Sequence, residues 1–132
     1  MEATRIPFKI PSIYAGHAKI EGLLILGTEH LAFEYRIIDT WLGALTSRII
    51  KKTVKYGDLE KAEYRLGFFN PCLIFSARTL DAFDKLPHAE PTVLKIGVPW
   101  TRRKDLRSII SNINFYILVI DAHRCRDQLR SG

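Results

Sequence analysis

Few cysteines and no long apolar run narrow the classes of protein to which this chain can belong. Only two of its 132 residues are cysteines, unlike the dense cysteine spacing of a secreted disulfide scaffold. The most apolar run, residues 115–120, is far shorter than the roughly 20 residues that cross a bilayer. The N-terminal residues carry charges and prolines where a signal peptide has an apolar core. We therefore expect Cys72 and Cys125 to be reduced thiols. We expect the protein to be cytoplasmic, with peripheral binding to a membrane as a further hypothesis.

The motifs of the common enzyme classes are also missing. The sequence has no G-x-S-x-G elbow, P-loop or dinucleotide fingerprint. His88-Ala89-Glu90 matches the H-x-E of zinc deaminases, but Pro71-Cys72 precedes it and Phe75 occupies the second cysteine position. The other three histidines show no ligand spacing. We predict no catalytic residue, metal site, cofactor or small-molecule substrate, and an uncharacterised enzyme is the third of three functional hypotheses.

Positive charge is what the chain has in excess. Its 20 lysines and arginines against 14 aspartates and glutamates give a formal net charge of +6, which attracts acidic partners such as anionic lipid headgroups. Two clusters are candidates for facing an anion or a lipid. They consist of Arg48, Lys51, Lys52 and Lys55, and of Arg102, Arg103 and Lys104. The first cluster is also typical of an edge strand whose lysines discourage aggregation. Without interleaved aromatic side chains, neither cluster indicates nucleic-acid binding.

Alternation of apolar and polar residues predicts that most of the chain forms β-strands. It is clearest in residues 30–38, whose apolar positions are Leu31, Phe33, Tyr35 and Ile37. Further strands are predicted at 18–26, 48–56, 61–66, 72–77 and 93–98. Prolines interrupt residues 1–15, which we interpret as an extended leader. Residues 16–132 are then long enough for one domain only.

A change of period after residue 101 predicts a helix over about residues 102–128, with Thr101 as its N-cap. Its first half carries one apolar stripe, made of Leu106, Ile109, Ile110 and Ile113. Residues 115–120 are apolar on every side and need more cover than a small domain provides. We predict self-association or a protein contact through Phe115, Tyr116, Leu118 and Val119. The alternative is that Asn114 ends the helix and residues 115–120 form a buried strand.

The connection between the strands at 30–38 and 48–56 is unusually apolar. It places Trp41, Leu42 and Leu45 around a glycine. Such a hairpin tip either folds back on the core or contacts a partner. We include these three residues in the predicted interface.

The order of strands followed by one helix resembles the pleckstrin-homology (PH) superfold, in particular the GRAM-like and bacterial PH-like families. The resemblance is carried by residues 22–26 running into 29–33, by 54–62 and by 94–98. It implies a mainly β fold, a PH-like barrel of two orthogonal antiparallel sheets capped by a long helix. The basic phosphoinositide signature is not evident, since the first hairpin, residues 27–29, is short and acidic. We predict a non-enzymatic module for protein–protein contact or self-association, with peripheral binding to anionic membrane surfaces as the alternative.

Overall fold

Seven strands and one long helix make up the part of the chain that the computed structural model describes: residues 4–13, 18–39, 41, 48–67, 71–86 and 90–131, without the side chains of 11–13 and 129–131. The strands are β1 (Thr4–Ile13), β2 (Ala18–Leu26), β3 (His30–Asp39), β4 (Ile50–Lys55), β5 (Leu59–Leu66), β6 (Pro71–Ala77) and β7 (Val93–Gly97). A 3₁₀ turn at Tyr56–Asp58 joins β4 to β5, and a second, Trp100–Asp105, leads into the helix α1 (Leu106–Ser131). The expectation of a mainly β chain with a C-terminal helix is confirmed.

All seven strands belong to one antiparallel sheet in the order β4-β3-β2-β1-β7-β6-β5. Strands β1 to β4 pair over long stretches, and so do β5 to β7. The two groups meet where Lys9 of β1 pairs with Gly97 of β7. No described residues pair β4 with β5, so the sheet is not closed.

The sheet nevertheless curves back on itself around an aromatic core. The ring of Phe33 on β3 contacts Phe8 on β1 at 5.7 Å between centroids and Phe75 on β6 at 6.0 Å, both edge to face. Strands β3 and β6 are four positions apart in the sheet, which would separate them by about 19 Å if the sheet were flat. The two strand groups must therefore face each other across the core.

Of the residues interpreted above as an extended leader, Thr4–Ile13 form β1, which pairs with β2 along its whole length. Ile6, Phe8 and Ile10 alternate into the core, and this period of two is what a half-buried strand requires. The sequence did not predict this strand, because its prolines lack the backbone hydrogen-bond donor and proline is rare inside sheets. In the part of the chain that the structure describes, β1 pairs with β7 only at Lys9, so Pro7 is paired with β2 alone. A strand tolerates proline where one of its sides lacks a paired neighbour.

The C-terminal helix begins differently from the prediction. Thr101 is not its N-cap: the residue lies inside the 3₁₀ turn, whose N-cap is Pro99 and which has no side-chain cap. The turn starts earlier because the Arg102 amide donates to the Pro99 carbonyl at 2.9 Å. The alternative strand at 115–120 is wrong as well, since α1 runs through Asn114 without a break. Among the described residues, no helix has the length and apolarity to cross a bilayer.

Candidate interaction surface

The inner side of α1 is fixed to the sheet along most of its length. Five residues at helical spacing are buried on this side: Leu106, Ile109, Ile110, Ile113 and Ile117. The first four form the stripe that the sequence predicts. Because Ile117 continues the stripe beyond Asn114, part of the second half of the helix is covered by its own chain.

Asn114 attaches the middle of α1 to the edge strand β5. Its side-chain oxygen accepts from the Ala62 amide, and its side-chain nitrogen donates to the Ala62 carbonyl, both at 3.0 Å. Strand β5 ends the sheet, and an edge strand presents backbone groups that lack a neighbouring strand. The Asn114 side-chain amide hydrogen-bonds both the N–H and the C=O group of Ala62, as a neighbouring strand would.

Two charged contacts attach the helix further along. Arg78 donates to the Asp121 carboxylate at 2.6 Å and to the Leu59 carbonyl at 3.1 Å. Arg124 donates to the Gly57 carbonyl at 3.0 Å. The guanidinium packs so closely on Gly57 that a Cβ there would overlap it. These contacts fix which side of α1 faces the sheet and which faces away.

Tyr116, one of the predicted interface residues, lies mostly against its own chain. Its ring stacks on Tyr56 at 5.1 Å between centroids and 23° between planes. The Tyr56 hydroxyl donates to the Gly27 carbonyl at 2.7 Å. Burial, and secondarily the neighbouring Tyr116, raises the pKa of Tyr56 above its ordinary value, so the hydroxyl stays protonated and can donate.

The outer side of α1 carries exposed apolar side chains. Phe115 is 60% exposed and Leu118 is 67% exposed, whereas Val119 is half-buried and Ala122 is exposed. At about 100° per residue these four residues share one side of the helix, opposite Ile117. We call them the outer face of α1. Three of the four predicted helix residues of the interface therefore lie together on one surface.

The apolar hairpin is described at Trp41 only; Leu42 and Leu45 lie outside the described residues. The Trp41 ring is 80% exposed, and its amide donates to the Asp39 carboxylate at 2.8 Å. This residue is therefore available for contact and is not part of the core.

The basic cluster on β4 is divided between two faces of the strand. Lys51 and Lys55 are exposed on the outward face, as the alternation predicts, and Lys51 lies 3.7 Å from the Glu34 carboxylate. Lys52 points the other way, and its ammonium contacts Asp84. This contact lowers the pKa of the Asp84 carboxyl below its usual range. Lys52 is thus engaged within the chain, whereas Arg48 is exposed near the start of the strand.

The second basic cluster lies beside an aromatic residue that is not among the sites predicted from the sequence. Trp100 is 49% exposed, and the Arg103 guanidinium lies over its ring, 4.5 Å from the centroid. A 3₁₀ turn has three residues per turn, so positions 100 and 103 align. Arg102 is paired with Asp105 at 2.8 Å, and Lys104 is exposed. The sequence feature that could have predicted this stack is the tryptophan two residues before the cluster, read with a 3₁₀ period of three residues per turn.

A shallow depression of about 320 Å³ lies over β2 and β3, lined by residues including Glu21, Glu34, Arg36 and Ile49. Both of its carboxylates lie near lysine ammonium groups: Lys19 is 3.4 Å from Glu21, and Lys51 is 3.7 Å from Glu34. Among the described residues, no group of three or more His, Cys, Asp or Glu side chains is placed to hold a metal ion.

No family model, curated protein or solved structure matches this chain. The surfaces described above are therefore the features of this chain that bear on its function.

Proposed function

We propose that the chain is a PH-like, non-enzymatic interaction module that associates with a second copy of itself through the outer face of α1. The strand order supports the PH-like part of the proposal. Two strand groups, β1 to β4 and β5 to β7, meet at Lys9 and Gly97. Their aromatic side chains touch across the core, as expected for two sheets with a helix at one end.

Exposure of Phe115 and Leu118 is the observation that carries the proposal. Large apolar side chains gain free energy when a partner removes them from water, and aromatic anchors dominate many protein interfaces. Contacts of Asn114, Asp121 and Arg124 with the rest of the chain fix the rotation of α1 about its axis, so the helix cannot turn these two side chains inward. A second molecule can cover them.

The test is the mass in solution of the wild type and of the double variant Phe115→Ser/Leu118→Ser. We expect a concentration-dependent dimer for the wild type and a monomer for the variant, with little change in melting temperature, because both side chains are exposed. Leu80→Ser is the matched control, since Leu80 is 76% exposed but lies outside α1. It should leave the dimer intact. A wild type that stays monomeric at several hundred micromolar would refute the proposal.

A second candidate function is peripheral binding to anionic membrane surfaces. The observation in its favour is the half-exposed Trp100 ring beside Arg103 and Lys104. Tryptophan prefers the membrane–water interface, and nearby cations are attracted to anionic lipids. Both groups occur on one short turn.

A further inference from the structure

We infer that the two copies pair through antiparallel α1 helices, related by a two-fold axis near Leu118 and Val119. This inference rests on the proposed self-association and adds the direction and register of the contact. The helix directs two rows of residues toward the partner, and within each row the residues are seven positions apart in the sequence. The first row is Ser111, Leu118 and Cys125, and the second is Asn112, Val119 and Arg126. Phe115 and Ala122 lie between the rows, since each residue advances about 100° around the helix.

Shape favours this register. A two-fold axis makes the same surface patch meet itself, so each row meets the same row of the second copy in reverse. Leu118 and Val119 then contact their own counterparts near the axis. Phe115 of each copy faces Ala122 of the other, so that the largest side chain of the face packs against the smallest. Large side chains facing small ones let two helices approach closely.

Charge favours the antiparallel direction over the parallel one. In a parallel pair the two basic turns around Arg103 would lie at the same end of the pair, and the two copies of Arg126 would lie together near the other end. Like charges in close contact are destabilising. In the antiparallel pair, Arg126 lies beside Asn112 of the second copy, whose side-chain carbonyl can accept its hydrogen bonds. The two basic turns then lie at opposite ends of the pair.

The size of the contact sets its expected strength. One helix stripe buries less than the roughly 1,200 Å² in total at which stable interfaces begin. We therefore expect a dimer that dissociates on dilution, and the experiment has to be done on concentrated protein.

Disulfide cross-linking tests the register, because Cys125 is exposed and Cys72 is buried. In the antiparallel pair, Ser111→Cys places a thiol opposite Cys125 of the second copy. Asn112→Cys is the matched control: it lies one residue away, also exposed, but in the other row. Wild-type Cys125 is about 20 Å from its counterpart, at 1.5 Å per residue.

Under mild oxidation we expect the Ser111→Cys variant to form covalent dimers at least about ten times faster than the Asn112→Cys variant. Adding Cys125→Ser should abolish the product. Equal rates for the two variants, or rapid wild-type dimers through Cys125 alone, would overturn the antiparallel register. If sedimentation shows a wild-type dimer that Ser111→Cys does not cross-link, this inference fails and the proposed function stands. A monomeric wild type refutes both.

Discussion

At the scale of single residues, Asn114 has a role that its position in a helix conceals. Asparagine is a weak helix former because its side chain competes with the backbone for hydrogen bonds. Here that tendency is used for a tertiary contact, since both polar atoms of the amide bind the Ala62 backbone. The side chain thereby ties α1 to β5 and covers one position of an open sheet edge.

Replacing Asn114 by alanine should lower the free energy of unfolding by about 1–2 kcal/mol, the usual loss when partly buried polar groups lose their partners. His123→Ala is the control, because His123 is exposed on the same helix, lies outside the two rows of the proposed contact, and gains a similar helix propensity when replaced by alanine. We expect its effect to stay within about 0.5 kcal/mol. Urea denaturation of the two variants measures the difference. Equal stabilities would mean that the Ala62 contact contributes nothing.

At the scale of elements, two glycines inside strands differ in what surrounds them. Gly22 on β2 lies between Phe8 of β1 and Tyr35 of β3. A Cβ at Gly22 would collide with the Glu34 carbonyl and lie 2.7 Å from the Tyr35 Cβ. Glycine at such a point allows the close approach and bend of a curved sheet. At Gly97 on β7 the nearest atom to a Cβ would be the Lys9 carbonyl oxygen at 3.4 Å.

We expect Gly22→Ala to cost more than about 3 kcal/mol or to prevent folding, because a backbone oxygen must move. Gly97→Ala should change the free energy of unfolding by less than about 1 kcal/mol. Thermal and chemical denaturation of both variants provides the comparison. If Gly22→Ala were as stable as Gly97→Ala, the curvature of the sheet would not depend on this position.

The sequence predicts a strand well when one face of that strand is buried and the other is exposed to solvent. Strands β2 and β3 were predicted with nearly their observed bounds, because their alternation reflects a core on one side and solvent on the other. Strand β1 was not, since its prolines are typical of a leader. Residues 115–120 are apolar all round in sequence, yet Tyr116 and Ile117 are covered by the chain itself and Phe115 is not. Only the packing of α1 on β5 and on the 3₁₀ turn before it could separate these positions.

The contacts that orient α1 cannot be predicted from the sequence alone. Asn114 meets Ala62, and Arg124 meets Gly57, in each case more than fifty positions away in the chain. No local period encodes such pairs. The Trp100–Arg103 stack is local, but it needs the 3₁₀ period of its turn, whereas the sequence pattern predicts the α-helical period from Arg102 onward.

At the scale of the whole molecule, a net charge of +6 creates a field that attracts any anionic surface. The field alone gives weak binding without selectivity, screened over about 10 Å at 0.1 M salt. A half-exposed aromatic ring beside the cations adds an apolar contribution at one place. The orientation of the molecule on a membrane should then be set by Trp100, while the strength of binding follows the charge.

We therefore expect the protein to co-sediment with vesicles that contain anionic phospholipid and not with neutral ones, and to be released as salt rises. Trp100→Ala should weaken binding several-fold, because it removes the apolar contact beside Arg103 and Lys104. Trp41→Ala is the matched control: its ring is even more exposed, at 80%, but it follows β3 and lies outside the turn that carries Arg103 and Lys104. A larger loss with Trp41→Ala would move the contact to the hairpin. Tight binding to one phosphoinositide isomer that survives high salt would contradict a charge-driven mechanism altogether, since such selectivity requires a headgroup pocket.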